Sequence, residues 1–178
     1  MRGLFLYGPP GAGKSTLGKY LAATHGFRFE DGDAWLPADM VASLARGEGF
    51  SPEQRDRFAQ VIIERVGEAL EEDPRPLVVA QALLKVRHRE SIKKAHPSLL
   101  FVRVEADADE LSRRLGRGDN LVDDNLGAAM RAQLEITSDD PVVEYAAQGP
   151  PVTAQLDSIL RHYHLGVSTR AREESIIK

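Results

Sequence analysis

The chain has 178 residues, 42% hydrophobic and 28% charged, which suits one globular domain long enough to bury its own core. With no cysteine it excludes a disulfide framework, a thiolate metal site and a cysteine nucleophile. A formal charge of −4 gives no overall attraction to nucleic acid or an anionic membrane, so an anionic substrate must be met by locally placed cations.

The N-terminus reads directly as a buried strand, Gly3-Leu4-Phe5-Leu6-Tyr7, with no basic-then-apolar leader. No run approaches the ~18 apolar residues of a membrane span, so a cytoplasmic protein is expected. Next comes Gly8-Pro9-Pro10-Gly11-Ala12-Gly13-Lys14-Ser15, followed by Thr16, which fits the G-x-x-x-x-G-K-[ST] phosphate-binding loop. A triphosphate needs many donors at once, and a glycine-rich loop can turn its N–H groups inward where a Cβ would collide with the anion. Lys14 is placed to reach the β- and γ-phosphates of ATP and Ser15 to hold Mg²⁺. The following helix, with Leu17, Leu21 and Thr24 at helical spacing, adds the positive end of its dipole.

Phe27-Arg28-Phe29-Glu30 alternates as a short second strand that ends at Asp31-Gly32-Asp33. In open α/β sheets ligands bind at the C-terminal strand edge. The later strand Pro76–Gln81 ends without an acid, so Asp31 and Asp33 are the carboxylates for the chemistry. Asp31 is assigned to the Mg²⁺ shell and Asp33 to orienting or deprotonating an acceptor hydroxyl, with the roles exchangeable. The same string also suits an ordinary turn. Trp35 either walls a substrate pocket or fills core space, and Met40, Val41 and Leu44 mark a short helix.

Ser51-Pro52-Glu53-Gln54 is a strong helix start, with a Ser cap, Pro in the first turn and Gln three residues after the cap. Phe58, Val61, Ile62, Val66 and Ala69 form its apolar stripe. Arg55 lies near the centre of that stripe and Arg57 points away. An arginine on a buried face needs an anion, either a structural carboxylate or a substrate. After the third strand, a helix over Ala82–Ile92 puts Lys85 and Arg89 on one face, where they repel unless an anion or carboxylate sits between them. Leu99–Val104 is the fourth strand.

Asp107-Ala108-Asp109-Glu110 is a second capping box. The segment from Arg113 through Arg117 to Asn120, arginine-dense and punctuated by glycine, reads either as a lid over about 113–125 or as a charged surface loop. Met130, Leu134 and Ile136 continue a helix, Val142–Tyr145 is a fifth strand, and Val152, Leu156, Ile159 and Leu160 mark a closing helix. Residues 1–166 then make a single domain and 167–178 a tail. The five histidines form no ligand-spaced cluster.

Strands alternating with helices imply a parallel sheet covered on both faces, an α/β P-loop architecture. From about residue 3 to 165 the motifs resemble the gluconate kinase branch of the shikimate kinase-like P-loop kinases. The likeness rests on Asp31-Gly32-Asp33 with Pro37, Gly47 followed by Arg55, Ala82–Lys85 with Arg89, Arg117, and Leu134-Glu135. It implies a five-stranded sheet of order 2-3-1-4-5, a mobile lid, often a homodimer, and transfer of the ATP γ-phosphoryl to a small sugar acid or hydroxy acid. By matched position Asp33, Arg55, Lys85 and Arg89 face the acceptor and Arg117 the phosphates; Arg113, in the same arginine-dense segment, is also assigned to the nucleotide. Where the gluconate enzymes carry His, Asn and Lys this chain has Leu36, Met40 and Ser43. Their Cys-Ser is Gln81-Ala82 and their His-Phe is Asn120-Leu121, so a less polar acceptor pocket is expected. Two other readings compete: a nucleoside or nucleotide kinase, and a nucleotide-binding ATPase regulator with no small-molecule acceptor.

Overall fold

A computed structural model describes residues 1–107, 111, 122, 124–145 and 150–165. Its five strands are β1 (Gly3–Tyr7), β2 (Arg28–Asp31), β3 (Leu77–Gln81), β4 (Leu99–Ala106) and β5 (Val142–Tyr145). All neighbours are parallel and the order is β2-β3-β1-β4-β5, as the family resemblance implies. The described helices are α1 (Lys14–His25), α2 (Ala38–Ala45), α3 (Pro52–Glu72), α4 (Val86–Ala95), α5 (Asp124–Arg131) and α6 (Val152–His162).

Strand β1 is central and buried at all five positions, and its alternation divides the core. Leu4 and Leu6 pack with Leu17 and Leu21 of α1 and with Leu156 and Leu160 of α6. Phe5 and Tyr7 face the other way, against Phe58, Ile62 and Val66 of α3 and Ile92 of α4. Phe5 stacks on Phe101 of β4 with ring centroids 4.9 Å apart. Full burial of each such side chain contributes about 1.5–3 kcal/mol, so the two layers clamp β1 from both faces. The register pairs Tyr7 with Gln81 and Asp31 with Ala80, which brings the ends of β1, β2 and β3 to one sheet edge.

Helix α3 begins as its signature predicts. Ser51 Oγ accepts from the Gln54 N–H, and the Gln54 side chain accepts from the Ser51 N–H. Arg57 does point to solvent, where it pairs with Asp39.

Several sequence expectations are corrected. Helix α4 starts at Val86 and not at Ala82, because Leu83 adopts a left-handed φ of 35° and Lys85 is an extended N-cap residue. Lys85 and Arg89 therefore do not share a helix face. Helix α5 stops at Arg131, so Leu134 and Ile136 are not helical: the Glu135 N–H donates to Leu84 O at 2.9 Å and Ile136 is 64% exposed. Arg113, Arg117 and most of the 113–125 segment, with the tail 167–178, lie outside the described residues. Among the described residues no helix is long and apolar enough to cross a membrane.

Candidate functional site

At the shared C-terminal edge of β1, β2 and β3 opens a cleft of about 550 Å³. The phosphate-binding loop forms one wall and supplies Pro10, Gly11, Gly13, Lys14, Ser15 and Thr16. Two glycines are demanded by geometry. Gly8 has φ +148°, and a Cβ there would lie 2.2 Å from Val104 O; Gly13 has φ +92° and would drive a Cβ to 2.7 Å from Tyr145 Oη. The loop thus folds back on β4 and β5 at distances that leave no room for a side chain.

Helix α1 begins at Lys14, inside the motif, so the loop's last residues are also the helix N-terminus. Lys14 Nζ donates to Gly8 O at 3.1 Å and Pro9 O at 2.8 Å. Burial lowers its pKa to about 8, and Asp33 and Asp31 work against that loss of charge.

The two carboxylates of the Asp-Gly-Asp turn are brought to the same place by distinct hydrogen bonds. Asp31 Oδ2 accepts from Ser15 Oγ at 3.1 Å, and Asp31 Oδ1 accepts from the Asp33 N–H at 3.1 Å, capping a 3₁₀ turn at Gly32–Trp35. The turn chemistry and the cleft placement therefore coexist. Asp33 opens to the cleft while surrounded by protein, and this burial raises its pKa above the usual carboxylate range, opposed by the Gln81 hydrogen bond and by Lys14. Asp33 Oδ1 accepts from Gln81 Nε2 at 2.8 Å, and Gln81 Oε1 accepts from the Ala82 N–H.

Ser15 and Asp31 present a hydroxyl and a carboxylate oxygen to one point, the hard-oxygen chemistry that suits Mg²⁺, which takes one or two protein oxygens beside substrate phosphates. Among the described residues no group of three or more His, Cys, Asp or Glu is arranged to hold a metal.

The three cations proposed for the acceptor meet different fates. Arg55 Nε donates to Phe50 O at 3.1 Å and its terminal nitrogen to Gln133 Oε1 at 2.9 Å, both uncharged oxygens, and burial lowers its pKa. Arg55 lines a small recess that shares Phe50, Gln81, Ala82 and Met130 with the main cleft. Lys85 is ion-paired to Glu135 at 3.1 Å. Arg89 is 0% exposed: it donates to Leu83 O at 2.9 Å and to Glu135 O, and its guanidinium lies 4.4 Å from the Tyr7 ring centroid. Of the three cations expected to face the acceptor, Arg89 is the one whose side chain has no open surface in this structure. Trp35 packs on the core around Phe5 and Phe58, and Leu36 takes the cleft position instead.

Leu36 and Gln81 line the cleft where the resemblance implies a less polar acceptor pocket, whereas Tyr145, Leu44, Phe50 and Met130 carry no site assignment in the sequence. Gln81 carried a signal, an amide closing an otherwise apolar strand; Leu44, Phe50 and Met130 carried none, because ordinary helix and loop apolar residues look alike until packed.

A profile of the AAA domain family matches residues 4–138. A gluconokinase of Gluconobacter oxydans (strain 621H) is 26% identical over 164 residues, 91% of each chain. Shikimate kinase 2 of Salmonella paratyphi B is 49% identical over 53 residues, 28% of this chain and 29% of that one. The crystal structure of a gluconokinase from Sinorhizobium meliloti 1021 shares the fold, with a TM-score of 0.72, 23% identity and coverage of 91% of this chain and 95% of that one. These relatives are what the chain is similar to, and the match over residues 4–138 shows that it belongs to the AAA domain family.

Proposed function

We propose that this protein is an ATP- and Mg²⁺-dependent kinase that phosphorylates a hydroxyl of a small anionic sugar acid or hydroxy acid. The observation that carries the reading is the run from Ser15 through Asp31 to Asp33, which sets an open carboxylate beside the phosphate-binding loop. The loop from Gly8 to Thr16 cradles the triphosphate, and Lys14 turns from its carbonyl partners to the β- and γ-oxygens. Ser15 and Asp31 would hold Mg²⁺, which when bound neutralises charge on the phosphates.

Asp33 accepts the hydrogen of the acceptor hydroxyl and takes its proton as the oxygen–phosphorus bond forms. The bond from the γ-phosphorus to the β–γ bridging oxygen breaks, and ADP leaves with the electron pair. Arg55 holds the acceptor's anionic group. In this scheme Arg117, as the family resemblance implies, and Arg113 of the same arginine-dense segment meet the phosphates; both lie outside the described residues. Catalysis is then positioning plus electrostatics, as phosphoryl transfer requires.

The test is ADP release with ATP and Mg²⁺ across sugar acids, hydroxy acids and nucleosides. Asp33→Asn should lower acceptor-dependent kcat by about 10²–10⁴-fold, the range for a positioned general base, with ATP binding retained. Absence of acceptor-dependent turnover in the unaltered protein would leave a nucleotide-binding ATPase and remove the kinase reading.

A further inference from the structure

The acceptor half of the cleft is walled by Leu36, Leu44, Phe50, Ala82 and Met130. These side chains belong to one apolar cluster that also holds Leu84, Leu126 and Leu134, beyond the C-terminal edge of the sheet. The polar groups nearby are committed. The Gln81 amide is bound at both ends, to Asp33 and to the Ala82 N–H. Ser43, 5% exposed, donates to Asp39 O at 3.1 Å, and Lys85 is answered by Glu135. With the phosphate-loop side of the cleft given to the nucleotide, the described residues on the acceptor side leave Asp33 to meet a hydroxyl and Arg55, whose named partners are neutral, to meet a negative charge.

From this division of the walls we infer that the acceptor is a monohydroxy carboxylic acid with an apolar body, in preference to a polyhydroxylated sugar acid. The carboxylate lies on Arg55, the hydroxyl on Asp33, and the body between them runs along Leu36, Phe50 and Met130. Among the described residues, each further hydroxyl facing Leu36, Phe50 or Met130 would exchange water for a hydrocarbon wall, which penalises it in proportion to its burial. The inference rests on the phosphoryl-transfer reading and narrows its substrate class.

A pair of probes isolates the point. Gluconate and 6-hydroxyhexanoate have the same six-carbon chain, the same carboxylate and the same terminal hydroxyl, and differ only in the interior hydroxyls. With ATP and Mg²⁺, kcat/KM for 6-hydroxyhexanoate should exceed that for gluconate by about tenfold or more, the scale on which apolar pockets discriminate added hydroxyls. 4-(Hydroxymethyl)benzoate, with an aromatic body, should side with 6-hydroxyhexanoate. Leu36→His, which gives the wall a hydrogen-bonding group, should shrink the ratio several-fold; if this variant does not fold, the ratio in the unaltered protein decides alone. Arg55→Met should raise KM for 6-hydroxyhexanoate and leave its KM for ATP unchanged. Equal or better turnover of gluconate overturns the inference and leaves the kinase reading standing. Turnover of none of the acids, with ATP bound, overturns both.

Discussion

The amide of Gln81 is the most informative single group to perturb. Its oxygen accepts from a backbone N–H, which can only donate, so the amide cannot be flipped and its nitrogen must face Asp33 Oδ1, 2.8 Å away. Gln81 is 6% exposed and cannot trade this bond for water by swinging out. Burial raises the Asp33 pKa, and the Gln81 hydrogen bond is the largest effect that lowers it, ahead of Lys14. Gln81→Met conserves shape and deletes both bonds. A hydrogen bond to an ionised group nets about 1.5–3 kcal/mol. Because Asp33 opens to the cleft, water recovers part of that, and about 1.4 kcal/mol, or a tenfold effect, is the expectation.

The sign follows from which form works. In the proposed mechanism Asp33 accepts a proton, so its ionised form is the active one, and removing a donor favours the protonated form. The acid limb of the kcat/KM profile should therefore move to higher pH. Activity should fall about tenfold on that limb and recover toward the plateau at higher pH. The assay is kcat/KM against pH for the two proteins, with ATP saturating. Gln81→Glu retains an acceptor for the Ala82 N–H but sets a like charge against Asp33, so it should displace the limb in the same direction. A uniform loss at every pH, with the limb unmoved, would refute the argument and reduce Gln81 to a packing residue.

Two further outcomes follow from buried cations. Lys14 has a pKa of about 8 in the nucleotide-free protein, and bound polyphosphate favours its charged form, so ATP binding at pH 8 should take up about half a proton. Calorimetry in buffers of different ionisation enthalpy reads this directly, and an uptake that persists in Lys14→Met would assign it elsewhere. Arg89→Met strips the donors from Leu83 O and Glu135 O and should cost about 2–5 kcal/mol, seen as a lower urea midpoint. Unchanged stability with a raised KM for the acceptor would instead return Arg89 to the substrate.

The motif, the strand before it and the capping box at Ser51 were legible because each is a local rule. A turn needs certain φ values, a strand alternates, and a helix end needs its donors satisfied within three residues. Asp31 and Asp33 could be placed for the same reason, once the strand carrying them ended at the sheet edge. The cations could not be sorted this way. Helical spacing over 82–92 was reasonable in isolation, but Leu83 turns left-handed, Gly8 N–H donates to Ala82 O, and the helix starts late. The apolar spacing of Met130, Leu134 and Ile136 extends past the true helix end for a similar reason: the helix stops at Arg131 and the Glu135 N–H bonds Leu84 O.

By itself the sequence determined that a phosphate cradle stands between a buried strand and a helix, with two carboxylates at the end of the next strand. Those outcomes depend on residues a few positions apart, whose relative placement the backbone sets. Only the tertiary structure decided that Arg55 faces a recess of the cleft with uncharged partners while Arg89 is sealed against carbonyls from Leu83 and Glu135. It also decided that Leu36, Leu44, Phe50 and Met130 meet across one wall. Charge and hydrophobicity are properties of single residues, but whether a guanidinium meets a ligand or a buried carbonyl depends on which distant segments the packed sheet edge brings against it.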